Sequence, residues 1–215
     1  MKTRDKIIFA ALELFNEKGE RNITTNHIAA HIDISPGNLY YHFRNKQEIV
    51  REIFDGYLAE LLERFPPVET GEDSLVILKR YLDSVFNLMW KYRFFYANLP
   101  EILQRDPILH ERYLDVQEKL QKNLQGIFRS FIELNLIEIP EEDIKPVITS
   151  MHLVVSAWLG YQSAMTPETE VTETVIHQGM LQMLSVLKPY TTELGRQQVM
   201  TLEEGIKAYN SGDVV

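Results

Sequence analysis

Between Ser35 and Lys46 the chain reads SPGNLYYHFRNK, and most of these positions carry a group able to bond to an oxygen-rich ligand. Asn38 offers an amide, Tyr40 and Tyr41 hydroxyls on rigid rings, His42 ring nitrogens and Lys46 an ammonium, with the Thr25 hydroxyl a short way upstream. Such groups suit the two kinds of contact that DNA accepts. Cations and hydroxyls bond to phosphate oxygens and position the protein, whereas amides and aromatic edges read bases. Adjacent helix positions face about 100° apart, so Tyr40 and Tyr41 cannot both be buried in a small three-helix unit.

Other chemistries fit the sequence less well. His27 and His31 stand four apart on one helix, a spacing that can hold zinc, but no glutamate of an HExxH pattern and no third ligand accompanies them. The expectation is solvated or phosphate-facing histidines and no metal. Glu141, Glu142 and Asp143 follow Pro140 at a helix start, where the helix dipole favours anions without any acid–base role. There is no Ser-His-Asp order, no phosphate-cradling glycine loop and no dinucleotide fingerprint, so neither an enzyme nor a cofactor is expected. With no cysteine, a disulfide framework, a thiolate nucleophile and a thiolate metal site are all excluded.

The elements that must hold these groups are helices. Residues 3–18 place Ile7, Ile8, Ala11, Leu12 and Phe15 at helical spacing before Gly19. Thr24 or Thr25 can cap a short helix over 26–32, Asp33 and Ile34 make a turn, and Ser35 with Pro36 starts a third helix over about 36–42. A long fourth helix begins at Asn45 and runs through Ile49, Ile53, Leu58 and Leu61 to Pro66-Pro67. Residues 66–74 are polar and turn-rich, and further helices are expected near 74–91, 93–104, 107–136, 141–165, 170–187 and 192–209, punctuated by Pro100, Pro107, Pro140 and Pro167. The fold class is all-α.

At 215 residues the length suits one small module and one larger one. The net charge of −9 argues against a general nucleic-acid binder, but it is unevenly spread. The first fifty residues hold seven Lys/Arg against six Asp/Glu, and the remainder holds 15 against 25. No signal peptide and no run of roughly 20 apolar residues is present, so a cytoplasmic protein without a membrane partner is expected.

Two short helices joined by a tight turn over 25–42 make a helix-turn-helix, whose second helix lies in the major groove while the first braces it. Gly37 lets the backbone approach DNA, Asn38 and Tyr40 point at base edges or methyls, and Thr25, Tyr41, His42 and Lys46 face phosphates, with Phe43 packing inward. Ser35 and Pro36 complete the expected contact set. The run TTNHIAAHIDISPGNLYYHFRNKQEIV (24–50) resembles the DNA-binding domain of the TetR family of bacterial transcriptional regulators, through its Ser-x-Gly-x-Leu-Tyr-x-His-Phe pattern and the following lysine. The resemblance is close over 3–55 and beyond that extends to length, helical content and helix order. It implies a homodimer whose N-terminal domains (1–50) read a palindromic operator in double-stranded DNA. It also implies a C-terminal domain (51–215) that binds a small-molecule effector and dimerises. Pro36 departs from relatives that carry a base-reaching side chain there, which shifts direct readout onto Gly37, Asn38 and Tyr40 and gives DNA shape a larger part.

Phe86, Met89, Trp90, Phe94, Phe95 and Tyr96 crowd one stretch, and Met151, His152, Trp158, Tyr161 and Met165 follow along another helix. Singly each is best explained as core. Together, adaptable methionine and rings with polar tips suit a ligand pocket of apolar lining, and hence a lipophilic effector. Ala157, Gly160 and Ala164 recur every three to four residues and allow close helix approach. With His177, Met180 and Leu184 on the next helix they form the dimer seam that the resemblance implies. The expected function is a ligand-responsive DNA-binding regulator, a repressor released by its effector. The alternatives are an effector-free regulator or activator of the same family, and an all-α enzyme or binding protein that retains the N-terminal module.

Overall fold

The computed structural model describes residues 2–68, 71–166 and 170–211. Among them lie ten α-helices, and the only β-type pairing is an isolated bridge between Ile137 and Thr191. Helix α1 (Thr3–Lys18) buries Ile7, Ala10, Ala11, Leu14 and Phe15 on one face and stops where Gly19 takes φ 78°. Helix α2 (Thr25–His31) is capped by Thr24, whose hydroxyl accepts the His27 N–H at 3.3 Å. The turn that follows is tight because Asp33 adopts a left-handed φ of 54°, which lets the Ile34 N–H donate back to Ala29 O at 3.0 Å. Helix α3 (Pro36–His42) starts as the Ser-Pro pair dictates. Proline fills the first position, whose N–H would be unpaired anyway, and the Ser35 hydroxyl accepts the Asn38 N–H at 3.2 Å.

Helix α4 (Lys46–Glu63), capped by Asn45, serves two cores. Its start packs with Phe43 and Leu39 of the N-terminal unit, and Phe54, Tyr57 and Leu61 pack into the larger body. That body comprises α5 (Ser74–Lys91), α6 (Arg93–Arg105), α7 (Pro107–Glu133), α8 (Glu141–Met165), α9 (Glu173–Leu187) and α10 (Glu193–Ser211). Helix α7 ends three residues before the sequence suggests. Asn135 turns left-handed at φ 55°, and the Leu136 N–H then bonds to Phe131 O at 2.9 Å. Helix α6 contains Pro100 and bends at Asn98 (φ −135°, ψ 15°), where the Asn98 amide donates to the Phe94 carbonyl at 3.1 Å. Pro167, expected as a helix stop, lies outside the described residues.

Two glycines are required by close approach. At Gly179 a Cβ would come within 2.5 Å of the Trp158 ring, which is itself fixed by a 2.7 Å bond to Val175 O. At Gly195 a Cβ would overlap the Leu136 carbonyl oxygen, where the start of α10 docks through Thr192 N to Leu136 O at 3.0 Å.

Candidate nucleic-acid interface and interior cavity

The first turn of α3 faces outward: Ser35, Pro36, Gly37 and Asn38 are all exposed, and only Leu39 turns into the core. Tyr41 stands 84% exposed, with its ring edge-on to His42 at 5.1 Å. Tyr40 is also exposed, and its hydroxyl lies 3.0 Å from Thr25 Oγ1, tying α3 to the start of α2. Phe43 is buried beneath the Arg4 guanidinium, 4.9 Å away. Gly37 has no internal reason to be glycine, because the nearest atom to a built Cβ is Ser35 Oγ at 3.9 Å. His27 is spent on its own helix, where Nδ1 accepts the Thr24 N–H at 3.3 Å, and His31 lies 3.9 Å from Glu13.

Lys46 is placed differently from a free phosphate-binding cation. Its ammonium is 2.9 Å from the Glu20 carboxylate and 2.9 Å from the Glu20 carbonyl, and the side chain is four-fifths buried. The same carboxylate receives Arg105 of α6 at 2.8 Å. Burial alone would push the Glu20 carboxyl up, but the bonds from Arg105 and Lys46 outweigh it and hold the group below its ordinary value. Glu20 is therefore a knot joining α1, α4 and α6. Around it, Arg21 meets Glu101, Asn16 bonds to Lys91 O at 2.8 Å and accepts the Phe94 N–H at 3.1 Å, and Phe15 packs on Phe94 at 5.3 Å. Nothing in the local sequence marks Glu20, since its partners lie 26 and 85 residues away.

The larger body holds a partly open cavity of about 140 Å³ with an almost wholly apolar lining. It is walled by Leu78, Tyr81, Leu82, Val85 and Leu88 of α5, Tyr96 and Leu99 of α6, Leu120, Leu124 and Phe128 of α7, and Ile148, Met151, His152 and Val155 of α8. Burial holds the His152 imidazole below its ordinary pKa. Of the pocket residues expected from sequence, Tyr96, Met151 and His152 are on this wall. Phe86 instead stacks on His177 at 4.7 Å, Met89 is fully buried elsewhere, and Trp90 lies under Arg93 at 4.4 Å. Phe94 and Phe95 pack against Phe15 and Phe54 at the N-terminal side, Trp158 is held by α9, and Tyr161 points to solvent. The expectation followed aromatic crowding along the chain. The wall follows helical spacing instead, as the series 78, 81, 82, 85 and 88 on one face of α5 shows.

The proposed seam divides in the same way. Ala157 and Ala164 are exposed and Gly160 has no neighbour within 4 Å of a built Cβ, so this face of α8 is open in the protomer. His177, Met180 and Leu184 are buried inside the protomer and cannot also face a partner. His177 is held by Asn210 at 2.9 Å, between Phe86 and Tyr209, and Leu184 reaches the cavity.

A three-helix unit with an outward recognition helix, set on a helical body, defines a class of DNA-binding regulators. Residues 7–53 match the profile of "Bacterial regulatory proteins, tetR family", and residues 56–199 match that of "Bacterial transcriptional repressor". The chain belongs to the TetR family of bacterial transcriptional regulators. It is similar to a TetR-family transcriptional regulator of Marinobacter aquaeolei VT8, at 40% identity and a TM-score of 0.84, over 96% of this chain and 99% of that one. It is 30% identical over 152 residues to the HTH-type transcriptional repressor KstR2 of Rhodococcus jostii, covering 62% of this chain and 71% of the relative. It is 28% identical over 163 residues to the biofilm operon regulator IcaR of Staphylococcus aureus strain Newman, covering 72% and 81%. No helix among the described residues is long and apolar enough to cross a membrane.

Proposed function

We propose that this protein is a ligand-responsive repressor that binds a palindromic operator as a homodimer in the cytoplasm and is released by a small lipophilic effector. Residues 1–50 form the reading domain, and 51–215 bind the effector and dimerise through the open face of α8. The observation that carries the effector reading is the position of α6. One part of it, at Tyr96 and Leu99, forms the cavity wall. Its other contacts, through Phe94, Glu101 and Arg105, hold the N-terminal unit. A ligand that displaced Tyr96 or Leu99 would move the attachment points of the reading domain. The spacing of the two recognition helices would then leave register with successive major grooves.

The apolar lining favours a lipophilic molecule. On DNA, Tyr41, His42 and Thr25 would meet phosphates, while Asn38 and Tyr40 would read bases. Lys46 would act on phosphate only by leaving Glu20, so its larger part is to fix the start of α4. One observation favours the effector-free alternative: the cavity is smaller than the roughly 300–1,000 Å³ of most ligand pockets. A ligand must therefore widen it. Reciprocity separates the two readings, because a ligand that weakens operator binding must itself be weakened by operator, typically by about 1–3 kcal/mol. The measurement is ligand affinity with and without saturating operator. Equal affinities would leave the effector-free reading standing.

A further inference from the structure

Where α7 and α8 border the cavity, the wall changes character. Leu120 and Leu124 continue the apolar face, but Gln117 and Gln121 sit beside them and line, with Glu118, Lys122, Gln125 and Lys145, a polar recess that adjoins the cavity at His152 and forms its mouth. Both the Nε2 and the Oε1 of Gln117, and the Oε1 of Gln121, are buried without a hydrogen-bond partner in the protein. A buried amide left unpaired is costly, so groups of this kind are kept where something else completes them. Both ends of the Gln117 amide lack a partner, so a single group that both donates and accepts would complete them at one place. The neighbouring His152, held neutral by burial, adds one donor and one acceptor.

We propose that the cavity takes an amphiphile. Its apolar body lies among the leucines and aromatic rings, and its uncharged head, a hydroxyl that both donates and accepts, is held at the α7–α8 mouth by Gln117, Gln121 and His152. This rests on the effector reading above and names the chemical class of the ligand. A hydroxyl meets the requirement directly: its O–H donates to Gln117 Oε1 and its oxygen accepts from Gln117 Nε2. A carboxylate fits worse, since it donates nothing to the two amide oxygens and loses its hydration on entry. The rim lysines do not overcome this. Lys122 is already paired with Glu118 at 2.8 Å, and Lys145 lines the mouth from α8 but is exposed, where solvent screens its charge.

The test uses the full-length protein and three ligands sharing one skeleton: 3-phenyl-1-propanol, propylbenzene and 3-phenylpropanoate, titrated by calorimetry. An engineered void of about 150 Å³ takes up benzene, so the phenyl ring fits a cavity of this size and the three-carbon tail reaches toward the mouth by widening it. The variant is Gln117→Leu, which keeps similar volume and removes two unpartnered polar atoms, so its melting temperature should not fall. It should weaken the alcohol about tenfold, the worth of one neutral hydrogen bond, while propylbenzene binds as before or more tightly. Comparing the two ligands in the two proteins isolates the head-group contact from general apolar burial. Equal changes for alcohol and hydrocarbon would overturn the proposal and leave an effector cavity without a head-group site. Tightest binding of the carboxylate to the unmodified protein would also overturn it, placing selection on the lysines. Binding of none of the three would remove the cavity reading itself, and this inference with it.

Discussion

Replacing Glu20 by Gln removes the charge that joins the reading domain to the body while keeping the side-chain shape. In the native protein the carboxylate accepts from Lys46 at 2.9 Å and from Arg105 at 2.8 Å. Charge-assisted bonds of this kind contribute about 1.5–3 kcal/mol each. Two features reduce the loss. Lys46 keeps its bond to the Glu20 carbonyl, and Arg105 has Glu101 at 3.5 Å as a second partner. A net cost of about 2 kcal/mol follows, which lowers the melting temperature of a chain of this size by about 4–8 °C. The pH dependence is the sharper signature. The folded-state carboxyl is held below its ordinary value of 4.5, so its stabilisation is complete above that value and is lost as pH falls through the lower folded one. Urea unfolding of both proteins at about pH 7 and about pH 3.5 should show the difference at neutral pH and much less of it in acid. A gap that stayed constant with pH, or one under about 0.5 kcal/mol at pH 7, would refute the role assigned to this carboxylate.

Lys46→Ala should destabilise the fold by leaving Glu20 short of a cation, and should change the salt slope of DNA binding by less than one; a slope lower by a full unit in a stable variant would restore Lys46 to a phosphate. Tyr41→Ala should leave stability unchanged, since the ring is 84% exposed, yet weaken operator and random DNA alike in a mobility-shift titration. Gly37→Val has room inside the protomer, so its melting temperature should hold while operator affinity falls roughly tenfold; unchanged affinity would mean that backbone there does not approach DNA. Gly195→Ala should cost about 1–3 kcal/mol or more by forcing α10 off the Leu136 carbonyl, with thermal unfolding as the readout. Gly160→Trp, at a position where a Cβ meets nothing within 4 Å in the protomer, should yield a monomer in sedimentation, and a persisting dimer would place the seam elsewhere.

What the sequence determined by itself is everything governed by neighbours in the chain. Ser35-Pro36 starts α3, Thr24 and Asn45 cap their helices, and Gly19 ends α1, because capping and backbone preference act over three or four residues. The outward faces of Tyr40 and Tyr41 and the inward one of Phe43 follow from helical geometry over the same span. The motif in 24–50 added the family, which no periodicity specifies. Tertiary structure decided whatever depends on residues far apart. Lys46 was legible as a cation, but only the fold brings Glu20 and Arg105 to it and turns a phosphate donor into part of a knot. Phe94 and Trp158 were legible as pocket-like rings, but the packing of α1 against α6 and of α8 against Gly179 spends them on the core. Aromatic content says that a residue will be buried, whereas its phase on the helix and the helix beside it decide against what.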